Sequence, residues 1–244
     1  MVTDFDPIAG GILLVDKPVG WSSFDVVKKV RGALRSILGY RVKVGHAGTL
    51  DPLASGLLVL GVGRSTKLLP GLTEHGKAYT ATIRLGERTP SYDAETEVIE
   101  SKPWEHITPE EVEAALGRFR GEFQQRPPDF SAKHFQGERA YFLARDGAVI
   151  DLPLHTVQVD RLEMVGIQGQ ELSVAVHCSK GTYIRSLAHD IGQALGCGAH
   201  LSVLRRTRSG PYDVANAYLP EQWSQWFDEW AKAHPRPPDQ ENSG

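Results

Sequence analysis

Cysteine is nearly absent: Cys178 and Cys197 are the only two in 244 residues. Two cannot form a disulfide framework, so a reduced, cytoplasmic setting is the expectation. Long apolar runs are missing as well. None approaches the roughly 20 residues that cross a bilayer as a helix, so no membrane span is expected. The first residues, Met-Val-Thr-Asp-Phe-Asp, are acidic and short of apolar side chains, unlike a secretory leader. There is no internal repeat. Nor is there an excess of positive charge: the formal net charge is −3, which argues mildly against a polyanionic partner. What is present is ordinary for a soluble globular protein, with 41% apolar and 23% charged residues. The length suffices for one or two domains.

The charge total hides a segregation. Between Asp16 and Lys43, seven basic residues (Lys17, Lys28, Lys29, Arg31, Arg35, Arg41, Lys43) face two acidic ones (Asp16, Asp25). Arg118 to Arg145 is also basic in balance, whereas Glu221 to Gly244 is acidic. Phosphate contacts follow local patches rather than totals, although such runs also occur as plain solvated helix faces.

Hydrophobic periodicity supplies the elements. Gly11 to Asp16 reads as a buried strand, with Ser22 or Ser23 capping a helix whose stripe is Val26, Val27, Val30, Leu34, Ile37 and Leu38 and whose stop is Gly39. Leu57 to Val62 reads as a second buried strand. Tyr79, Ala81, Ile83 and Leu85 alternate with polar residues, and Leu172, Val174, Val176 and Cys178 do the same. Thr108-Pro109-Glu110-Glu111 is a capping box opening a helix. Ile184, Leu187, Ala188, Ile191, Ala194 and Leu195 form another helical stripe. Trp223, Trp226, Phe227 and Trp230 follow Pro220 at helical spacing and read as a docking face. Residues 124–153 are rich in proline, glycine and charge and read as a long loop or mobile insertion. Pro235 onwards lacks apolar residues and is expected to be disordered. The class expected is α+β, or mixed α/β.

The most informative segment is Val44-Gly45-His46-Ala47-Gly48-Thr49-Leu50-Asp51-Pro52-Leu53-Ala54-Ser55-Gly56. Its glycines permit positive φ and close approach of a ligand. Pro52 restricts Asp51 to extended backbone. A carboxylate presented this way suits nucleophilic or acid–base work, although Asp-Pro alone is a common turn starter.

This loop resembles the catalytic loop of the TruB family of tRNA pseudouridine synthases, whose pattern is Gly-His-x-Gly-x-Leu-Asp-Pro-x-Ala-x-Gly. The resemblance extends in order along about residues 11–212. Ile12 to Ser23 is similar to the family's opening strand and turn, Lys77-Ala78-Tyr79 to its tyrosine motif, and Pro128 to Gly147 to its RNA-gripping insertion. His177 to Arg185 is similar to its arginine motif, and Leu204-Arg205-Arg206-Thr207 to its closing segment.

The resemblance implies the pseudouridine synthase fold: a central mixed, largely antiparallel sheet with flanking helices. It implies a tail at 1–10, a catalytic domain at 11–212 with its RNA-binding insertion near 124–153, and a C-terminal helix and tail at 213–244 with no PUA domain. The implied activity is conversion of uridine to pseudouridine at position 55 of the tRNA T-loop, on a flipped-out base. The same chemistry on another RNA, and an RNA-folding protein without turnover, are the alternatives.

Asp51 would be the nucleophile or an ion-pair stabiliser. Tyr79 reads as a core tyrosine, and by resemblance stacks on the uracil or serves as a base. Arg185 falls in the first turn of a helix, where a cation needs a compensating anion. By resemblance that anion is Asp51, whose pKa such a pair would lower. His46 is implied as an RNA contact and Leu204 as a lining residue of the uracil pocket. Gly48, Lys67, Lys133, Arg139, Lys180, Tyr183, Arg205 and Arg206 complete the implied RNA-binding set. Lys17 belongs to it too, or else braces the site. No cofactor is implied and no obligatory protein partner, the T-arm of tRNA being the partner of a monomer. Cys178, His189, Cys197 and His200 lack the second close pair that structural zinc favours, so no metal is expected.

Overall fold

A computed structural model describes residues 5–130, 134–135, 138–139 and 152–235. Its strands are β1 (Gly10–Lys17), β2 (Val44–His46), β3 (Ala54–Gly63), β4 (Lys77–Leu85), β5 (Glu87–Arg88), β6 (Glu100–Ser101), β7 (Gly121–Gln125), β8 (His134–Phe135), β9 (Glu138–Arg139), β10 (His155–Gln168), β11 (Glu171–Cys178), β12 (Ala199–Ser209) and β13 (Tyr212–Asp213). Its helices are α1 (Ser23–Leu38), α2 (Leu69–Glu74), α3 (Pro109–Gly117), α4 (Ile184–Ala194) and α5 (Pro220–Ala233). This is the mixed α/β class expected. Among the described residues no helix is long and apolar enough to cross a membrane. The chain divides into two compact units, Met1–Thr73 with Tyr212–Gly244, and Glu74–Pro211. The expected catalytic region 11–212 is thus shared between them.

In the first unit β1 and β3 pair antiparallel without interruption, from Gly10↔Gly63 to Lys17↔Gly56. β2 pairs with the far end of β3, His46 opposite Leu60. Both faces of this ladder are covered, which is why β3 reads as a nearly continuous apolar run. On one face Leu13, Val15, Leu58, Leu60 and Val62 pack with Val26, Val27, Val30 and Leu34 of α1 and with Trp223 and Phe227 of α5. On the other, Leu57, Val59 and Ala47 meet Ile12, Leu14, Leu69 and Leu72. Gly45 sits opposite Gly61 in the register, and a Cβ on Gly45 would come within 2.9 Å of Leu69 Cδ1. Bare backbone there is what lets the Leu69 side chain seat on the strands.

α1 starts at Ser22, whose hydroxyl accepts from Asp25 N while the Asp25 carboxylate accepts from Ser22 N, and stops at Gly39 with φ 82°. α5 docks as its stripe predicts. Trp223 and Phe227 are buried, Trp223 Nε1 donates to Leu14 O at 3.0 Å, and Trp230 stacks on His234.

The second unit is built on an antiparallel sheet in the order β12–β4–β11–β10–β7. Tyr79, Ala81, Ile83 and Leu85 of β4 are buried, with Thr80 exposed between them. The segment expected to be a loop from residue 124 begins later, because Gln124 and Gln125 close β7 opposite Thr156 and His155. β8 and β9 pair with each other, His134 opposite Arg139. Lys133 and the residues from 236 onwards lie outside the described residues, as does the Arg139 side chain.

Candidate active site

Asp51 lies between two residues that are held in place. On its N-terminal side the Ser23 hydroxyl, itself buried, accepts from Leu50 N at 2.8 Å and donates to Leu50 O at 3.0 Å. On its C-terminal side Gly20 N donates to Pro52 O at 2.8 Å, and Ala54 N closes the turn onto Asp51 O at 3.1 Å. The turn between β1 and α1 therefore grips the backbone on both sides of the carboxylate. Gly48, at φ 87°, and Gly56, at φ 100°, take backbone that side-chain-bearing residues resist, one on each side of Asp51. Asp51 itself is half-buried, as is His46 at the end of β2.

Lys17 stiffens the gripping turn. It is fully buried, and its ammonium donates to Pro18 O at 3.0 Å and to Trp21 O at 2.6 Å. Those bonds hold the Lys17 ammonium inside the turn.

In the second unit Arg185 is buried in the first turn of α4. The cation so placed meets the anion that the helix dipole calls for: Arg185 Nη1 lies 3.7 Å from Asp93 Oδ2, and also donates to Ser91 O at 3.4 Å. Asp93 is likewise buried. Its Oδ1 accepts from the Ser91 hydroxyl at 2.6 Å and from Glu95 N at 2.9 Å, and its carbonyl accepts from Thr89 Oγ1 at 2.6 Å. Between Ser91 and Asp93, Tyr92 takes φ 64°, rare for a side chain with a Cβ. Its ring stacks on His189 at 3.9 Å. Backbone strain of this kind collects at functional sites, where the surroundings over-determine it.

The start of α4 is fixed by a second grip. Gln125, fully buried, accepts from Tyr183 N at 2.9 Å and donates to Tyr183 O at 3.0 Å. Ser186 Oγ donates to Arg126 O at 2.7 Å. Tyr183 is the N-cap of α4, with His155 edge-on to its ring.

Tyr79 on β4 is buried, opposite Val176 on one side and Arg206 on the other. β12 has an irregularity between Arg206 and Arg208 at that level, and bulges next to active sites re-aim side chains. Arg206, expected as a phosphate or RNA contact, is fully buried, and Arg205 and Leu204 are half-buried. The neighbouring Lys77 ammonium is pushed below its usual range by burial first and by the Arg206 charge second. Lys180 is exposed and pairs with Glu74, and Lys67 is exposed after β3.

Ser23, Gln125 and Asp93 are not among the site residues read from the sequence, where Ser23 figured only as a possible helix cap and as the end of the opening turn. Asp93 left a different trace. The run Thr89-Pro-Ser-Tyr-Asp-Ala-Glu-Thr96 is dense in side chains that bond to nearby backbone. Among the described residues no group of three or more His, Cys, Asp or Glu gathers as a metal site would need.

A model of the TruB family pseudouridylate synthase N-terminal domain matches residues 35–184, and one of the tRNA pseudouridylate synthase B C-terminal domain matches residues 185–232. The chain is 47% identical over 221 residues to the tRNA pseudouridine synthase B of Phocaeicola vulgatus, covering 90% of this chain and 94% of that one. It is 49% identical over 215 residues to the protein of that name from Mycobacterium sp. strain KMS, covering 86% and 71%. Among solved structures it is similar to a chain of an H/ACA RNP bound to a substrate RNA containing 2'-deoxyuridine, with TM-score 0.66 and 29% identity. It is similar also to one of an archaeal box H/ACA sRNP complex, with TM-score 0.65 and 29% identity. The match takes in 92% of this chain but only 55% of each of those. With one family model covering more than half of its length and relatives nearly half identical along most of it, the chain belongs to the TruB family of pseudouridine synthases.

Proposed function

We propose that this protein converts uridine to pseudouridine in tRNA, at position 55 of the T-loop, on a base flipped out of its stack. The reaction breaks the C1′–N1 glycosidic bond, turns the uracil and forms a C1′–C5 bond. The C5 proton leaves and N1 ends protonated, so no redox partner is consumed. Asp51 acts at the sugar as nucleophile or as ion-pair stabiliser. Arg185 holds the charge pattern of the site, with Asp51 as its second carboxylate. Tyr79 lies against the flipped uracil and can accept a ribose or ring proton. His46 and Gly48 contact the RNA beside the flipped base, and Leu204 lines the base pocket. Tyr183, Lys67, Lys133, Arg139, Lys180 and Arg205 contact the RNA backbone. The protein acts on the T-arm as a monomer.

The observation that supports this best is the double grip on Leu50 and Pro52, which presents one carboxylate on stiff backbone. Orientation of that quality is what a displacement at a sugar carbon requires. Relatives at 47–49% identity bear the tRNA name, whereas the ribonucleoprotein chains stand at 29%, so tRNA is preferred over another RNA. The test is tritium release from C5-labelled uridine in a T-arm minihelix. Release by wild type and none by Asp51→Asn is the expected result. Release by neither moves the reading to another RNA or to RNA binding without turnover.

A further inference from the structure

Among the described residues, six cations of the first unit stand without a carboxylate partner. Lys28, Arg31 and Arg35 share one exposed face of α1 with Phe24, at spacings of four, three and four residues. Beyond the Gly39 cap the chain continues with exposed Arg41 and Lys43, and Arg64 follows β3. Among the described residues none of these six is within ion-pair distance of an acid. In the other unit Arg84 pairs with Glu171, Arg120 with Glu113 and Arg161 with Glu163, while exposed Arg118 and Arg208 are single cations and not a cluster. The nearest acid on α1, Asp25, is engaged by Ser22 in the helix cap, and exerts only a through-space pull on Lys28.

The six line two adjoining hollows. One, of about 450 Å³, is walled by Lys28, Arg31, Arg35 and Arg41 around Gly32. The other, of about 500 Å³, shares Arg41 and adds Lys43 and Arg64. Gly32 is unusual. A mid-helix glycine costs about 1 kcal/mol against alanine, yet a Cβ there would meet nothing within 4 Å. Packing therefore does not demand it, and it leaves bare backbone between the cations. Like charges four residues apart, Arg31 and Arg35, also work against the helix. Phe24 is 61% exposed, with the Arg31 guanidinium 5.9 Å from its ring centre.

Unpaired cations, an uncovered floor and an aromatic beside them fit a nucleic-acid backbone. The Ser23–Leu50 bonds fix where this face begins, at the loop that carries Asp51. At about 1.5 Å rise per residue, Lys28 lies roughly 8 Å and Arg35 roughly 18 Å further along the helix axis. We propose that this face is a second RNA-binding surface, which holds phosphates of the same tRNA outside the reacting T-arm. The proposal rests on the tRNA reading above and adds a surface that reading does not need.

The test compares a full-length tRNA transcript with the isolated T-arm minihelix, using wild type and the triple variant Arg31→Gln, Arg35→Gln, Arg41→Gln. For full-length tRNA the slope of log K against log salt is expected to shrink by about 2–3, so the loss of affinity between 50 and 200 mM salt shrinks roughly 16- to 64-fold. Minihelix binding and turnover are expected to stay as in wild type. Arg161→Gln, an exposed arginine on the other unit, is expected to leave the slope unchanged. Thermal melts establish that the triple variant is folded. An unchanged slope on full-length tRNA overturns the proposal. So does an equal loss on the minihelix, or a slope change from Arg161→Gln as large as the triple's. The binding arms are read with Asp51→Asn as well, so a failure of catalysis by wild type is seen separately from a failure of this surface.

Discussion

Replacing Ser23 by alanine removes one hydroxyl and two hydrogen bonds, both to the residue before Asp51. Ser23 and Leu50 are buried, so water does not replace the lost partner. Each buried backbone group left unsatisfied costs about 1–3 kcal/mol, and the substitution is expected to destabilise the fold by about 2–5 kcal/mol. The same bonds tie the start of α1 to the loop, so their loss also frees the Asp51 backbone. A displacement of about 1 Å at a reacting group lowers rate on the order of a hundredfold. The neighbouring Ser22→Ala gives an internal control. Ser22 caps the same helix and bonds to Asp25, so its loss costs about 0.5–2 kcal/mol but touches nothing in the loop. Urea melts and single-turnover tritium release on both variants separate the effects. Ser23→Ala is expected to lose kcat far beyond its loss of folded fraction, with KM for RNA held within a few-fold. Ser22→Ala is expected to lose stability alone. Equal catalytic loss in the two variants, or a purely thermal effect of Ser23→Ala, would refute the positioning argument.

Two further outcomes follow from the second unit. Asp93→Asn takes a carboxylate from the buried Arg185, and breaking such a pair costs about 3 kcal/mol. It should lower kcat at least tenfold while leaving RNA affinity nearly intact, as a fluorescence binding titration beside a rate assay would show. His189 and Asp190 are adjacent on α4, and burial shifts them in opposite directions. Burial holds His189 down to about 4, with the Arg88 charge adding to it, and burial raises Asp190 to about 6. A base with a lowered folded pKa loses stability as pH falls from about 6.5 to 4, because the unfolded chain takes the proton first. An acid with a raised folded pKa regains stability over nearly the same span, from about 6 to 4. Asp190→Asn is therefore expected to raise Tm at pH 7.5 and to make it fall more steeply between pH 6 and pH 4. Parallel Tm profiles for wild type and variant would refute this opposition.

What could be read from the residues alone follows from how far each signal reaches. Helix α1, with its capping residue, its stripe and its glycine stop, depends on neighbours within four residues, and it formed as expected with Ser22 rather than Ser23 as the cap. The doubly buried β3 announced itself by an apolar run, and α5 by an aromatic stripe. The 44–56 segment was legible as a rigid loop because Gly and Pro act on their own backbone. Its first three residues nonetheless joined β3 as β2, and its last three, 54–56, begin β3 itself, pairings that no local pattern marks.

The residues that were missed act across the chain. Ser23 reaches 27 residues, Gln125 reaches 58 and Asp93 reaches 92 to Arg185. A serine that holds a loop has the same composition and neighbours as a serine that caps a helix, and here the two stand side by side. Lys17 and Arg206 show the converse. Both were expected among the RNA contacts, Lys17 alternatively as a brace, and both are buried, the Lys17 ammonium taken up by two backbone carbonyls. Burial inverts what a cation can do: Lys17 inside a turn fixes geometry, whereas Arg31 and Arg35 outside one remain available to a phosphate. The functional division among this protein's basic residues is therefore set by which of them the fold encloses, and charge counted along the chain could not have drawn it.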